Sequence, residues 1–93
     1  MPDRVRRFPD LETLAEAAAA HVARAARESA AARGRFLWVL SGGRTPLPLY
    51  RRLARRPDLP WDRTHVFWGD ERWVPPGSHE SNVGRARRAL LDR

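Results

Sequence analysis

Two short runs of large apolar residues, RFLWVL at 35–40 and THVFW at 64–68, constrain this chain more than anything else in it. Each lacks a sustained polar alternation and runs into a polar turn that contains glycine, the pattern of a strand buried on both faces. A helical stretch lies between them, so the two strands join through a crossover and run parallel.

The intervening helix is predicted to start with Thr45 as N-cap and Pro46 at the first helical position. Pro48 is tolerable there because first-turn N–H groups lack intrahelical partners. Pro57 stops it. Leu49, Tyr50, Leu53 and Ala54 mark its packed side, while Arg51, Arg52, Arg55 and Arg56 project elsewhere. Ahead of the first strand, Asp10 is a natural N-cap and Gly34 a natural stop for a long Ala-rich helix. Its apolar stripe is read as Leu11, Leu14, Ala15, Ala18, Val22 and Ala25. Glu12 and Glu16 early, with Arg24, Arg27 and Arg33 late, suit the helix dipole. A last helix, capped by Ser78 or Ser81, carries Val83, Ala86, Leu90 and Leu91. Residues 4–8 read as an edge strand.

The element order gives an α/β class with a parallel sheet. Strands this apolar need cover on both faces, which three short helices on a small sheet cannot give. Residues 1–93 therefore read as one part of a single domain, ending where an α/β unit ordinarily continues.

Composition narrows the function classes. The 18 basic residues are all Arg, against 11 acids, and leave a net charge of +7, which favours an anionic partner, either nucleic acid or a phosphorylated metabolite. The absence of Cys excludes disulfides, thiol chemistry and sulfur-based zinc sites. The N-terminus has no apolar signal core, and the longest apolar run falls far short of the ~20 residues of a spanning helix. A soluble, cytoplasmic chain with no membrane contact is expected.

Ligands of parallel α/β sheets gather outside the carboxyl ends of the strands, where both polar turns emerge. In Ser41-Gly42-Gly43-Arg44-Thr45-Pro46, paired glycines let main-chain N–H groups close on an anion beside a helix N-terminus. The Ser41 and Thr45 hydroxyls and Arg44 would assist. An ordinary tight turn is the competing reading. The spacing and the Lys of a Walker A loop are missing. The second turn, Gly69-Asp70-Glu71-Arg72-Trp73-Val74-Pro75, sets two carboxylates and a guanidinium at the end of a buried strand. Asp70 would take a proton or orient hydroxyls, and Arg72 would pair with phosphate or a developing oxyanion. Alternatively, Asp70 or Glu71 bridges Arg72 or caps a turn. His21 lies in the first helix, and His65 at the amino end of its strand suits a structural role. Only His79 lies within reach of the crevice, and a solvated loop histidine is its plainer reading. No metal-ligand spacing is present.

SGGRTP, GDERWVP and SNVGRARRALL, in this order after an Ala-rich helix and a FLWVLSGG strand, resemble the glucosamine-6-phosphate isomerase/6-phosphogluconolactonase family over nearly the whole chain. The resemblance is to the N-terminal part of the lactonases. It implies a doubly wound α/β fold and hydrolysis of 6-phosphogluconolactone to 6-phosphogluconate in the pentose phosphate pathway, with no required metal or organic cofactor. It further implies that Ser41, Gly42, Gly43 and Thr45 help cradle the sugar phosphate. Asp70 and Arg72 would line the pocket, and Ser81 and Asn82 would border it. Arg44 stands where many relatives carry Ser. The family's water-activating histidine belongs to a DGHTASLFP-like block with no counterpart here, so no catalytic residue is assigned within the chain, and little activity is expected of it alone.

Three other readings remain. A sugar-phosphate isomerase/deaminase of the same fold would carry a Met-Asp-Glu-Tyr-like block, which GDERWVP fits less well. A small nucleic-acid-binding protein would use the arginines of the last two helices, but the aromatics fall in buried strands rather than on a stacking surface. A truncated reading frame would have no function of its own.

Overall fold

The computed structural model describes residues 5–92. Helix α1 (Leu11–Arg33) leads into strand β1 (Phe36–Leu40), helix α2 (Leu47–Ala54), a 3₁₀ turn (Trp61–Arg63) and strand β2 (Thr64–Trp68). A short helix α3 (Asn82–Ala86) then widens into a π turn (Arg87–Leu91). The two strands are parallel neighbours in register, from Phe36 opposite Thr64 to Leu40 opposite Trp68. The edge strand expected at 4–8 does not form over Val5–Phe8, and Arg4 lies outside the described residues.

Helix α1 begins as its sequence dictates. The Asp10 carboxylate accepts from the Thr13 N–H and hydroxyl, both at 2.7 Å, and these bonds hold its pKa below the usual carboxylate range. The helix ends at Gly34, with φ 78° and its N–H on the Ala30 carbonyl. The buried face, however, is Ala15, Ala19, Ala23, Ala26 and Ser29 rather than the expected stripe, of which only Ala15 is fully buried. Alanines let α1 approach α2 closely, so the small side chains turn inward and Leu11 and Leu14 remain exposed. Across this contact Arg52 pairs with Glu12 and Glu16 and Arg56 with Glu16, while Arg56 also pairs locally with Asp58.

Helix α2 starts later than the sequence suggests. Thr45 makes no cap bond, and Pro46 occupies the N-cap position. The reason lies in the prolines: a Thr45 cap would have to bind the N–H of residue 47 or 48. Leu47 donates to the Arg44 carbonyl instead, and Pro48 has no N–H.

All three helices pack toward one face of the sheet, around Leu40, Tyr50, Leu53, Leu59, Ala86 and Leu90, with Trp38 edge-on to Tyr50. The other face is open: Leu37, Val39 and Phe67 are 55, 62 and 50% exposed. The two-faced burial expected of both strands is thus corrected to one-faced burial within the described residues. No helix among those residues is long and apolar enough to cross a membrane.

Candidate functional site

Parallel pairing sends both polar turns out at the same rim, and the Gly69 N–H donates to the Leu40 carbonyl at 3.3 Å where they diverge. The first turn is anchored below by Tyr50. Its hydroxyl donates to the Ser41 carbonyl at 2.9 Å and accepts from the Ser41 N–H at 3.1 Å, and burial pushes its pKa up. The Ser41 amide is therefore occupied. The next four N–H groups, of Gly42, Gly43, Arg44 and Thr45, donate to no acceptor among the described residues. Gly43 has φ 84°, the left-handed conformation that turns successive amides toward one concavity. The Ser41 and Thr45 side chains are exposed, and with Gly42, Pro46, Leu11 and Leu14 they line a recess of about 370 Å³.

Gly42 serves a different need. A Cβ there would fall on the Asn82 side chain, which lies flat against the turn. Asn82 is 3% exposed and donates from Nδ2 to the Asp70 carbonyl at 3.1 Å. It thereby ties the two turns together, while its buried Oδ1 has no partner among the described residues.

Glu71, which the sequence offered only as a bridge to Arg72 or a turn cap, does more than either. Its carboxylate accepts from the N–H groups of Arg72, Asn82 and Val83 at 2.7, 2.6 and 3.0 Å and from the Ser81 hydroxyl at 2.8 Å. Hydrogen bonding, first from Val83 and then from Arg72, Ser81 and Asn82, brings its pKa down from 4.5 to about 2 against the opposing effect of burial. Ser81 in turn accepts from the Gly84 N–H at 3.0 Å and has no exposed surface. Its hydroxyl is committed to capping α3 and is not presented to a ligand. The signal was available: Gly84 stands where a capping box would have an acid, so the carboxylate comes from elsewhere in the chain.

With Glu71 clamped, the exposed Asp70 and Arg72 flank it, and neither side chain has a hydrogen-bond partner among the described residues. Arg72 lines a shallow depression with Trp73, Val74 and Pro75, apart from the recess beside Ser41. Arg44 also faces away from that recess, into a groove shared with His79. The rim thus brings together the unengaged amides and the exposed Ser41 and Thr45 hydroxyls, with exposed Asp70 and Arg72 on the neighbouring turn. His21 and His65 are exposed on α1 and on the open sheet face. Among the described residues no group of three His, Cys, Asp or Glu side chains is placed to hold a metal ion.

Residues 9–93 match the family model described as glucosamine-6-phosphate isomerases/6-phosphogluconolactonase. A 6-phosphogluconolactonase of Mycobacterium tuberculosis is 42% identical over 99% of this chain, which corresponds to 38% of that protein. One from Nostoc is 58% identical over 64% of this chain and 25% of its own length. The crystal structure of a 6-phosphogluconolactonase from Shewanella baltica superimposes with a TM-score of 0.84 at 32% identity, covering 92% of this chain and 36% of that one. The Thermotoga maritima 6-phosphogluconolactonase gives 0.79 at 34% identity, over 85% of this chain and 36% of that one. The chain thus covers between a quarter and about two-fifths of the length of these relatives. With an α/β fold and parallel sheet matched at this level, the chain belongs to the glucosamine-6-phosphate isomerase/6-phosphogluconolactonase family.

Proposed function

We propose that the protein to which these residues contribute hydrolyses 6-phosphogluconolactone to 6-phosphogluconate, and that residues 1–93 supply the phosphate anchor and part of the pocket wall of a single domain. The observation that carries this reading is the run of four unengaged amides from Gly42 to Thr45 at the strand rim, beside the hydroxyls of Ser41 and Thr45. A phosphate dianion has more acceptor sites than any one side chain can satisfy, and a concave run of amides meets several without the entropy cost of ordering long side chains.

Lactone hydrolysis needs three things: a base to deprotonate water, donors for the tetrahedral oxyanion, and an anchor that fixes the reacting carbon relative to both. In this reading residues 41–45 are the anchor. Asp70 orients sugar hydroxyls, and Arg72 faces the anionic ligand or the developing oxyanion. Asn82 acts as the buried brace between the two turns. The general base is assigned to the DGHTASLFP-like block of the resemblance, which residues 1–93 do not contain. A charged sugar phosphate does not cross membranes unaided, so substrate and product stay in one compartment, which we take to be the cytoplasm.

The relatives above carry the lactonase name, and GDERWVP departs from the Met-Asp-Glu-Tyr-like block of the deaminases, so lactonase is preferred. The test is lactone hydrolysis followed by pH-stat, on the chain alone and after it is joined to the remaining two-thirds of a relative. We expect activity only in the joined protein. Ammonia release from glucosamine 6-phosphate without lactone hydrolysis would replace the reading with the deaminase one. Full activity of the chain alone would overturn the assignment of the base.

A further inference from the structure

A second cationic feature lies outside the amide turn. Between the start of α2 and the α3/π-turn segment runs a groove of about 560 Å³. Arg44 and Arg51 line one wall with Leu47, Arg85 and Arg88 line the other, and His79 stands at its edge. The spacing accounts for the convergence: 44, 47 and 51 recur on one side of the first strand-to-helix segment, and 85 and 88 fall one turn apart. The Arg88 guanidinium lies over Gly84, where a Cβ would come within 3.2 Å of it.

Among the described residues no carboxylate lines this groove. Outside the groove Arg27, Arg52, Arg56 and Arg87 each pair with an acid, whereas Arg24, Arg55, Arg63 and Arg72 stand singly on the surface with no acid partner among the described residues. Arg44, Arg51 and Arg88 have neither a hydrogen bond nor an ion pair from their side chains among the described residues, and Arg85 donates to the His79 carbonyl at 2.7 Å. Like charges held on facing walls repel one another, and a concave surface between low-dielectric walls focuses their field on whatever enters. An anion is therefore the complementary occupant.

The number and spread of the arginines decide which anion. One or two guanidinium forks saturate a single phosphate. Arg44 and Arg51 are separated by on the order of 10 Å along the helix direction, and the opposite wall adds two more forks, so linked phosphates fit where an isolated one leaves forks unmet. A nucleic-acid strand fits less well. Arg52 and Arg56 are neutralised by Glu12, Glu16 and Asp58, so beyond Arg51 the positive surface of α2 thins to Arg55 alone, and no Phe, Tyr or Trp ring lines the groove for base stacking. We infer that this groove is a binding site for a small molecule bearing a di- or triphosphate group, distinct from the amide turn of residues 42–45.

The experiment is calorimetric titration of the chain, at low ionic strength, with inorganic tripolyphosphate, orthophosphate and a single-stranded oligonucleotide. Tripolyphosphate is expected to bind at least about tenfold more tightly than orthophosphate, since each additional charge-assisted pair is worth about that factor. Arg51→Gln and Arg88→Gln are each expected to weaken it about tenfold. Arg55→Gln, outside the groove, should leave it unchanged. Should either Gln variant lose its helical circular dichroism, Arg51→Lys or Arg88→Lys replaces it, with an intermediate affinity expected because the charge stays and the fork goes. Absence of tripolyphosphate binding overturns the inference. So do equal affinity for orthophosphate, tighter binding of the oligonucleotide, and tripolyphosphate binding that survives both arginine substitutions, which would put the anion on the amide turn.

Discussion

The Asn82 side chain lies against Gly42, in the space that a Cβ on residue 42 would fill, and from there it donates to the Asp70 carbonyl. Two turns that are 28 residues apart in sequence, counted from Gly42 to Asp70, are held at one rim by a third segment that neither contains. Gly42→Ala is expected to push Asn82 out, at a cost of about 1–3 kcal/mol typical of overpacking a filled site. Chemical denaturation measures the loss. The amide resonances of both turns should shift together in a heteronuclear NMR spectrum, and a change confined to residues 41–45 would show that the turns are not coupled through Asn82.

The pH dependence of stability follows from Glu71. Its carboxyl sits at about 2 when folded, below its ordinary 4.5, chiefly through the Val83 N–H and then those of Arg72 and Asn82 with the Ser81 hydroxyl. A group whose pKa is depressed by folding binds fewer protons in the folded state. Its contribution is complete above about 4.5 and is lost as the pH falls toward 2. Asp10, held down by Thr13, and Asp58, held down by Arg56, act with the same sign. Thermal unfolding followed from pH 7 to pH 2 should therefore show a falling midpoint below pH 4.5. Glu71→Gln should lower the midpoint at pH 7 and flatten, without abolishing, the acid slope. An unchanged slope in that variant would mean that Glu71 does not hold α3 in solution.

How much of this was legible in the sequence depended on whether a residue's role was local. The two strands, the Asp10 cap and the Gly34 stop follow from patterns within a few residues, and all form where the sequence puts them. The start of α2 failed because Thr45, Pro46 and Pro48 were each read for their individual preferences. Together the prolines remove or redirect the donors that Thr45 would have capped. The buried stripe of α1 failed because hydrophobicity ranks Leu11 and Leu14 above Ala19 and Ala23, whereas close helix packing selects for small size. Beyond the adjacent Arg72 N–H, the role of Glu71 was undecidable locally, since its other three partners lie 10 to 12 residues further along.

Tyr50 offers a test of the anchor beneath the amide turn. Its hydroxyl serves both main-chain groups of Ser41, and it is 3% exposed. Tyr50→Phe keeps the ring that packs on Trp38 and removes both bonds, at an expected cost of about 1–2 kcal/mol. The decisive readout is hydrogen exchange at the Ser41 amide, which should accelerate more than exchange at the amides within β1. Equal acceleration throughout would indicate global destabilisation with no specific tether at Ser41.

The open face of the sheet makes the last prediction. Leu37, Val39 and Phe67 each expose half or more of their surface on the side away from the helices, and the register sets Val39 directly opposite Phe67. A contiguous apolar patch on a short parallel sheet is costly in water and lowers its free energy by meeting another apolar surface. The 93-residue chain should therefore self-associate as its concentration rises and should brighten an apolar dye. Val39→Lys and Phe67→Lys remove apolar area from positions that pack against nothing in the core, so each should alter monomer stability by only about 0.5 kcal/mol, as at other surface positions. Each lysine also adds charge that repels a second copy. Sedimentation velocity across a concentration series should then show association in the parent chain and monomers in the double variant. A parent chain that sediments as a monomer at every concentration, with no dye response, would mean that this face is covered in solution.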